Sequence, residues 1–317
     1  MLIKPRHLEA GDTIGIIAPA SPPPDPKTVD RSVDALEQLG FKVRLSPNVR
    51  RRHGYLAGSD RDRAGDLMRM FGERRVSAIL CLRGGYGTAR LLPRLDYDFI
   101  RTHAKIFVGY SDITSLHCAL LVKAGLISFH GPMLNSDFVK ADMPAFTRNS
   151  FLRTLTQAVA PGAISQGYRR KTVKILRRGS ACGSLLGGNL SVLCTTLGTP
   201  WQPSFKKRIL FLEDVGEQPY RVDRMLTHLL NCGLLQQVAG IAIGINADCE
   251  DPKASRAGEY RQTLADVFQE RLLPLKIPVV TGLPFGHVPH NATLPVGAEA
   301  ILDAEKGDLL FPGPAVS

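Results

Sequence analysis

The segment KIFVGYSDIT, residues 105–114, joins a short apolar run to a helical pattern through Gly-x-Ser. A buried strand that turns sharply into a helix lifts the serine hydroxyl above the sheet edge and sets backbone N–H dipoles beside it. The segment therefore predicts a nucleophile elbow at Ser111. Ile113 stands where the usual elbow has a second glycine, and the competing interpretation is that Ser111 or Asp112 only caps a helix.

Strands and helices alternate on both sides of this segment. Short apolar runs predict strands at 13–18, 41–45, 76–82 and 105–108, and helical spacing predicts helices at 29–39, 60–71 and 112–123. This alternation is typical of βαβ units and a parallel sheet. We therefore predict an α/β fold whose N-terminal part is a doubly wound parallel-sheet domain.

The pattern changes after about residue 135. Residues 136–165 mix polar, helical and Pro-Gly segments, and the chain beyond them is rich in strands and glycine turns. Strands are predicted there at 172–176, 208–213, 240–245, 279–283 and 299–303, with one helix at 220–232. We expect an N-terminal domain over 1–135, a linker over 136–165, and a smaller α/β C-terminal domain over 166–317.

Composition limits the class of protein. The 317 residues are 44% hydrophobic and 22% charged, which is typical of a globular chain. The start of the chain shows no targeting pattern, and no apolar run is long enough to cross a membrane. The six cysteines are scattered without C-x-x-C spacing and are interpreted as reduced packing residues. These features favour a cytoplasmic protein that does not bind membranes.

The chain is strongly basic, with a formal net charge of +11. A positive field increases the rate of encounter with anionic partners. No nucleic-acid-binding motif accompanies the charge, so we expect a small acidic substrate and no nucleic acid. No group of His, Cys, Asp or Glu has metal-ligand spacing, so we expect neither a metal nor a cofactor.

A glycine-rich stretch, RGGYG at residues 83–87, directly follows the strand predicted at 76–82. Glycines at the carboxyl end of a strand let backbone N–H groups approach a ligand closely. Three interpretations stay open: a nucleotide phosphate site, an oxyanion hole and an ordinary turn. The glycine spacing does not match the dinucleotide-binding fingerprint, which weakens the first.

An acid and a histidine also follow apolar strands. Glu213 and Asp214 end the strand predicted at 208–213, and a carboxylate is what a catalytic histidine needs to fix its tautomer. His287 follows the strand predicted at 279–283, in a loop bounded by glycine and proline. Ser111, Glu213 and His287 therefore form a candidate triad in the chain order serine, acid, histidine.

Other residues compete for these roles. Glu217 is the alternative acid, and His290, three residues beyond His287, is the alternative base. His117 lies inside the helix that follows Ser111 and is interpreted as a packed or capping residue. His130 follows an apolar stretch and is expected to border the site without acting on it.

Taken together, the motifs resemble the LD-carboxypeptidase family of serine peptidases, which also includes the microcin C immunity proteins. The matching stretches span nearly the whole chain in order: residues 14–21, 83–87, 109–112, 187–189, 198–200, 211–224 and 282–297.

The resemblance implies a structure and a set of site residues. The N-terminal domain would be similar to that of glutamine amidotransferases, the C-terminal domain would have a swivelling β/α arrangement, and the protein would be a homodimer. Ser111 would be the nucleophile, Glu213 the orienting acid and His287 the base. Backbone N–H groups of Gly85 and Asp112 would form the oxyanion hole.

The resemblance also implies a reaction: hydrolysis of the L–D amide bond that releases terminal D-alanine from murein tetrapeptides in peptidoglycan recycling. Two alternatives remain. One is an immunity-type peptidase that cleaves aminoacyl-nucleotide analogues; members of that branch tend to carry extra chain between serine and acid, whereas Glu213 lies only 102 positions after Ser111. The other is a non-enzymatic ligand-binding protein on the same fold, which would not require an intact triad.

Overall fold

The computed structural model describes residues 2–140, 142–169, 171–250 and 262–317. Within these ranges the strands are β1 (Thr13–Ile17), β2 (Lys42–Leu45), β3 (Val76–Cys81), β4 (Ile106–Gly109), β5 (Ser128–His130), β6 (Gly162–Ala163), β7 (Lys174–Arg177), β8 (Ser180–Asn189), β9 (Ile209–Glu213), β10 (Gly240–Ile245), β11 (Val279–Gly286), β12 (Leu294–Val296), β13 (Glu299–Asp303) and β14 (Asp308–Phe311). The α-helices are α1 (Thr28–Gln38), α2 (Asp60–Gly72), α3 (Tyr97–Thr102), α4 (Thr114–Ala119), α5 (Ala145–Leu155), α6 (Leu190–Thr195), α7 (Pro219–Asn231) and α8 (Leu264–Leu272).

The first sheet has the strand order β12-β5-β4-β3-β1-β2. Strands β1 to β5 are parallel, and β12 joins β5 as an antiparallel edge. The chain leaves β1 toward β2 and then crosses to β3 on the other side of β1, so the topological switch point lies between β1 and β3. In doubly wound sheets, ligands bind beyond the carboxyl ends of the strands at this point. The loops after β1 and β3 flank it here.

The second sheet has the strand order β6-β14-β13-β8-β9-β10-β11-β7. Its centre, β8 to β11, is parallel, and antiparallel strands flank the centre on both sides. Every residue of β9 is buried, because its apolar run Ile209–Leu212 lies between two neighbouring parallel strands. Glu213 ends β9, and His287 directly follows β11.

The two sheets meet through a close backbone approach. Gly188 of β8 adopts a φ of 143°, and a Cβ on it would lie only 2.4 Å from Thr114 Oγ1 at the start of α4. The next residue, Asn189, donates its backbone N–H to the same hydroxyl at 3.0 Å. The helix after Ser111 therefore rests directly on the sheet that carries Glu213, and a continuous apolar core runs through both sheets.

The strands predicted in the first 110 residues are present, each within one or two residues of the expected ends. The helix expected over 112–123 is divided into three segments. A 3-10 turn at Ser111–Ile113 is followed by α4 and then by a π-helical turn at Leu120–Ala124. The α/β fold with a parallel-sheet core is confirmed. The ten-residue β8, the edge strand β12 and α8 are elements that the sequence pattern did not reveal. The swivelling arrangement stays a prediction.

Among the described residues, no helix is both long and apolar enough to cross a membrane.

Candidate active site

Ser111 occupies a sharp turn between β4 and α4. Its φ is 64°, in the left-handed region that L-residues other than glycine rarely adopt. A 3-10 turn begins at Ser111 itself, and Tyr110 before it is extended. Such strain is found where the surrounding structure holds a functional residue in place. The turn leaves Ser111 half-buried at the carboxyl end of the first sheet.

The loop after β3 lies against Ser111. A Cβ on Gly84 would stand 2.9 Å from Ser111 Cβ, 3.1 Å from its Oγ and 3.4 Å from the backbone nitrogen of Asp112. Only glycine tolerates so close an approach without displacing a neighbour. The loop and the serine turn therefore face each other across a gap that a single methyl group would close.

Ser21, in the loop after β1, fixes the shape of this glycine loop. Its backbone N–H donates to Gly84 O at 3.3 Å, and its hydroxyl accepts the Tyr86 N–H at 3.2 Å. Gly85 between them has a φ of 108°, and a Cβ there would lie 2.5 Å from Ser21 Oγ. Gly85 is exposed. Ser21 was not predicted as a site residue, although its place shortly after an apolar strand is a usable signal.

Asp112 has its side chain turned into the protein. Its carboxylate accepts the Thr88 N–H at 2.9 Å, and the Thr88 hydroxyl donates to Asp112 O at 2.5 Å. Burial raises the pKa of the Asp112 carboxyl above its usual value, against the lowering effect of these Thr88 contacts. The side chain thus ties the turn to the glycine loop, and the helical turns that begin at Ser111 and Thr114 have no side-chain cap.

Glu213 and His287 form a hydrogen-bonded pair, in which His287 Nδ1 lies 2.7 Å from Glu213 Oε2. The Glu213 side chain is fully buried, whereas 19% of the His287 side chain is exposed. Burial alone would lower the pKa of His287, but the hydrogen bond and the charge of Glu213 outweigh it and raise this pKa. A carboxylate on Nδ1 leaves Nε2 as the nitrogen that can accept a proton.

Tyr110 links this pair to the serine turn. Its ring packs edge-on against the His287 ring, with centroids 4.9 Å apart and planes at 64°. Tyr110 directly precedes Ser111 and is itself buried. The contact brings His287 to the same sheet end as Ser111. Sequence reasoning missed Tyr110, because nothing in the pattern distinguishes this aromatic side chain from ordinary core residues.

The other candidate residues have partners of their own. His117 is buried and bonded through both ring nitrogens, to Ser128 Oγ and Gly109 O at 2.8 Å each, and burial lowers its pKa to about 4. The buried His130 ring packs against Tyr110, so it borders the site.

His290, the alternative base, packs against the rings of Phe146 and Tyr168, with ring centroids 5.6–5.8 Å apart. Glu217 forms an ion pair with Arg221 at 3.7 Å.

No three His, Cys, Asp or Glu side chains of the described residues come together as ligands for an ion.

Comparison with known proteins gives the class. Residues 14–131 match the LD-carboxypeptidase N-terminal domain, and residues 182–302 match the LD-carboxypeptidase C-terminal domain. The chain is 40% identical to the probable murein peptide carboxypeptidase of Bacillus subtilis over an alignment of 318 positions, which spans 98% of this chain and 95% of that protein.

Solved structures agree with this match. The muramoyltetrapeptide carboxypeptidase from Oxalobacter formigenes superposes with a TM-score of 0.82 at 34% identity, over 95% of this chain and 99% of that one. The microcin C7 self-immunity protein MccF in complex with aspartyl sulfamoyl adenosine gives a TM-score of 0.87 at 27% identity, over 99% of this chain and 100% of that one.

These matches define a serine-type carboxypeptidase. The chain belongs to the LD-carboxypeptidase family, so the predicted family and enzyme class are confirmed.

Gly84→Ala tests the close approach of the glycine loop. The new Cβ would force the loop or Ser111 to shift, and a displacement of about 1 Å at a reacting group costs on the order of a hundredfold in rate. We therefore expect kcat to fall at least that far while the protein stays folded, measured by steady-state kinetics and thermal unfolding.

Gly65→Ala is the matched control, because Gly65 lies on the exposed side of α2 with nothing within 4 Å of an added Cβ. It should keep full activity and gain up to about 1 kcal/mol in the free energy of unfolding. Full activity in Gly84→Ala would contradict the tight contact with Ser111.

Proposed function

We propose that this protein is a cytoplasmic LD-carboxypeptidase that releases terminal D-alanine from murein tetrapeptides through Ser111, Glu213 and His287. The observation that carries the proposal is the 2.7 Å contact between His287 Nδ1 and the buried Glu213, beside the strained turn of Ser111. Triad chemistry of acyl transfer uses a serine, an imidazole and a carboxylate that orients the imidazole, and the contact of Glu213 with His287 supplies the last two.

The substrate class is inferred from relatives and from charge. Relatives that cover nearly the whole chain are named murein peptide or murein tetrapeptide carboxypeptidases. Murein tetrapeptides carry free carboxylates, and the net charge of +11 favours their encounter with this protein. The bond cut would join the third residue, diaminopimelate or lysine, to the terminal D-alanine, and the enzyme would then act in peptidoglycan recycling.

The first step would be acylation. Glu213 accepts a hydrogen bond from His287 Nδ1–H, so Nε2 is free to take the proton of Ser111 Oγ. The serine oxygen then attacks the scissile carbonyl carbon. Backbone N–H groups of Gly85 and Asp112 would hold the developing oxyanion, and the lack of a side chain at Gly84 lets the loop that carries Gly85 approach Ser111 and Asp112 closely.

Loss of the amine would complete acylation: His287, now an imidazolium beside the buried Glu213, gives its proton to the nitrogen of D-alanine as the C–N bond breaks, which leaves the peptide as an ester on Ser111. The second step would be deacylation. Water replaces the amine and attacks the ester carbon as His287 removes its proton, and His287 then returns that proton to Ser111 Oγ as the ester bond breaks. The buried carboxylate stabilises the imidazolium in both halves of the reaction, since a charge out of water has few other ways to be compensated.

The rival reaction is cleavage of aminoacyl-nucleotide analogues, as suggested by the similarity to MccF. The carboxypeptidase is preferred because identity to MccF is 28%, against 40% for the Bacillus subtilis relative. The modest 102-residue spacing from Ser111 to Glu213 supports the same choice. A non-enzymatic binding role is disfavoured, because ligand binding does not require a buried acid on a histidine.

The proposal also assigns the catalytic residues to two domains of the chain. Residues 1–135 would form the nucleophile domain and residues 166–317 the domain that carries Glu213 and His287, joined by 136–165. The family resemblance further leads us to propose a homodimer.

Ser111→Ala combined with a substrate panel tests the proposed function. The panel is murein tetrapeptide, its L-alanine epimer, the pentapeptide ending in D-Ala-D-Ala, and an aminoacyl sulfamoyl adenylate. Wild type should release D-alanine from the tetrapeptide, cleave the L-epimer at least about a hundredfold more slowly, and ignore the others. Ser111→Ala should remove essentially all turnover.

Chromatography of the products measures how fast wild type and Ser111→Ala cleave each substrate. Turnover by Ser111→Ala within tenfold of wild type would remove Ser111 as the nucleophile, and preferred cleavage of the adenylate would move the protein to the immunity branch.

Glu213→Gln and Glu217→Gln form a matched pair four residues apart. Loss of the orienting acid costs about ten-thousand-fold in a Ser-His-Asp triad, so Glu213→Gln should lower kcat by at least about a hundredfold. Glu217 pairs with Arg221 rather than with His287, so Glu217→Gln should lower kcat far less. The opposite ranking in steady-state kinetics would mean that Glu217 is the acid.

The pH profile should report His287. Glu213, Asp214 and Asp137 face it with negative charge, and together they raise its pKa above the usual value of about 6.5 despite burial. Because the base must be neutral, kcat/KM should rise with pH through a midpoint above about 6.5. Glu213→Gln should move that midpoint to lower pH, and a wild-type midpoint below 6 would contradict the assignment.

A further inference from the structure

A carboxypeptidase must recognise the free carboxylate at the end of its substrate, and the triad and oxyanion hole do not supply that contact. A cation close to the oxyanion hole is required, because a carboxylate held without an opposite charge loses its hydration at a high cost. Among the described residues around the Ser111 turn, Arg83 meets this requirement.

Arg83 lies in the loop after β3, directly before Gly84, at the switch point of the first sheet. Its guanidinium is half-buried, and Nη1 donates to Pro22 O at 3.2 Å. Nη2 lies 3.7 Å from the position that a Cβ on Gly85 would occupy. The guanidinium therefore stands next to the residue whose N–H is the proposed oxyanion donor.

Arg83 differs from Arg63, Arg90 and Arg221 in its partners. Arg63 and Arg90 both pair with Asp60, and Arg221 pairs with Glu217. Among the described residues, no carboxylate lies within ion-pair distance of Arg83, and burial alone lowers its pKa. A half-buried guanidinium without an acid is well suited to accept one from a ligand, since its planar fork matches a carboxylate.

The distances suit a single terminal residue. In a peptide, the terminal carboxylate carbon lies within about 4 Å of the carbonyl carbon of the preceding residue. A carbonyl oxygen held by the Gly85 N–H therefore places the carboxylate within one residue of Gly85, where Nη2 of Arg83 stands. A substrate with more than one residue beyond the scissile bond would place a neutral amide in that position.

We propose that Arg83 binds the terminal carboxylate of the substrate and thereby restricts the enzyme to the last peptide bond. This inference rests on the proposed function of Ser111. Arg83 is a specificity-determining residue that contacts the leaving D-alanine, and Pro22 O holds its guanidinium in position.

The test compares two substrates that differ only in the end group: the murein tetrapeptide and the same peptide ending in D-alaninamide. Wild type should prefer the free acid by about a hundredfold or more in kcat/KM, because charge-assisted bidentate pairs are much stronger than neutral hydrogen bonds. Arg83→Met should lose about a hundredfold on the acid and change less than threefold on the amide. Arg83→Lys, which keeps the charge without the fork, should fall between them.

Arg52→Met is the matched control, because Arg52 also donates to carbonyl groups of the loop after β1, those of Pro23 and Pro24. It should leave the preference for the acid unchanged. Inhibition by D-alanine and by D-alaninamide gives a second comparison: Arg83→Met should weaken the first at least tenfold and leave the second unchanged.

Equal losses on acid and amide in Arg83→Met would overturn the inference and assign Arg83 to loop anchoring alone. Equal turnover of both substrates by wild type would overturn it as well. Failure of the proposed function is seen separately, as turnover that survives Ser111→Ala.

Discussion

Gly188 of β8 and Thr114 of α4 are in contact at a distance that no larger residue at position 188 would allow. This approach ties the helix that follows Ser111 to the sheet whose next strand ends in Glu213. Asn189 extends the tie, since it donates to Thr114 Oγ1 and pairs in register with Glu213. The site is therefore assembled where two sheets pack with little space between their backbones, and its geometry depends on that packing more than on any single loop.

Three loops at the carboxyl ends of strands in the first sheet complete the candidate site. The loop after β1 supplies Ser21, the loop after β3 supplies the glycines, and the turn after β4 supplies Ser111. Hydrogen bonds from Ser21 and Thr88 connect these segments to one another before any substrate is present. Such preorganisation matters for acyl transfer, because donors that are already in place need not reorient as the oxyanion develops.

The sequence predicts the strands that lead into the candidate site more reliably than the strands that complete the two sheets. β4 and β9 are continuous apolar runs followed by polar residues, a pattern that buried parallel strands produce. β8, with the sequence SACGSLLGGN, contains too many small residues to be recognised, because its glycines serve the contact with α4 and β9 rather than strand propensity. β12 has three residues, and only its pairing with β5 makes it a strand.

The candidate site likewise contains residues that the sequence predicts and residues that it does not. Motifs and chain order single out Ser111, Glu213 and His287 from sequence, and the observed contact of Glu213 with His287 agrees with that grouping. Tyr110 and Ser21 were not predicted, because their roles depend on which surfaces meet after folding. Glu213 and Glu217 could not be separated by spacing, since both follow the same strand.

The pairing of β12 with β5 has a consequence for how the protein folds during synthesis. Residues 294–296 cover the edge of a sheet whose other five strands all lie before residue 131. A nascent chain that has made only those five strands presents β5 as an open edge, and unpaired edges are templates for association with other chains. The first sheet thus stays incomplete on the ribosome until more than 160 further residues have emerged.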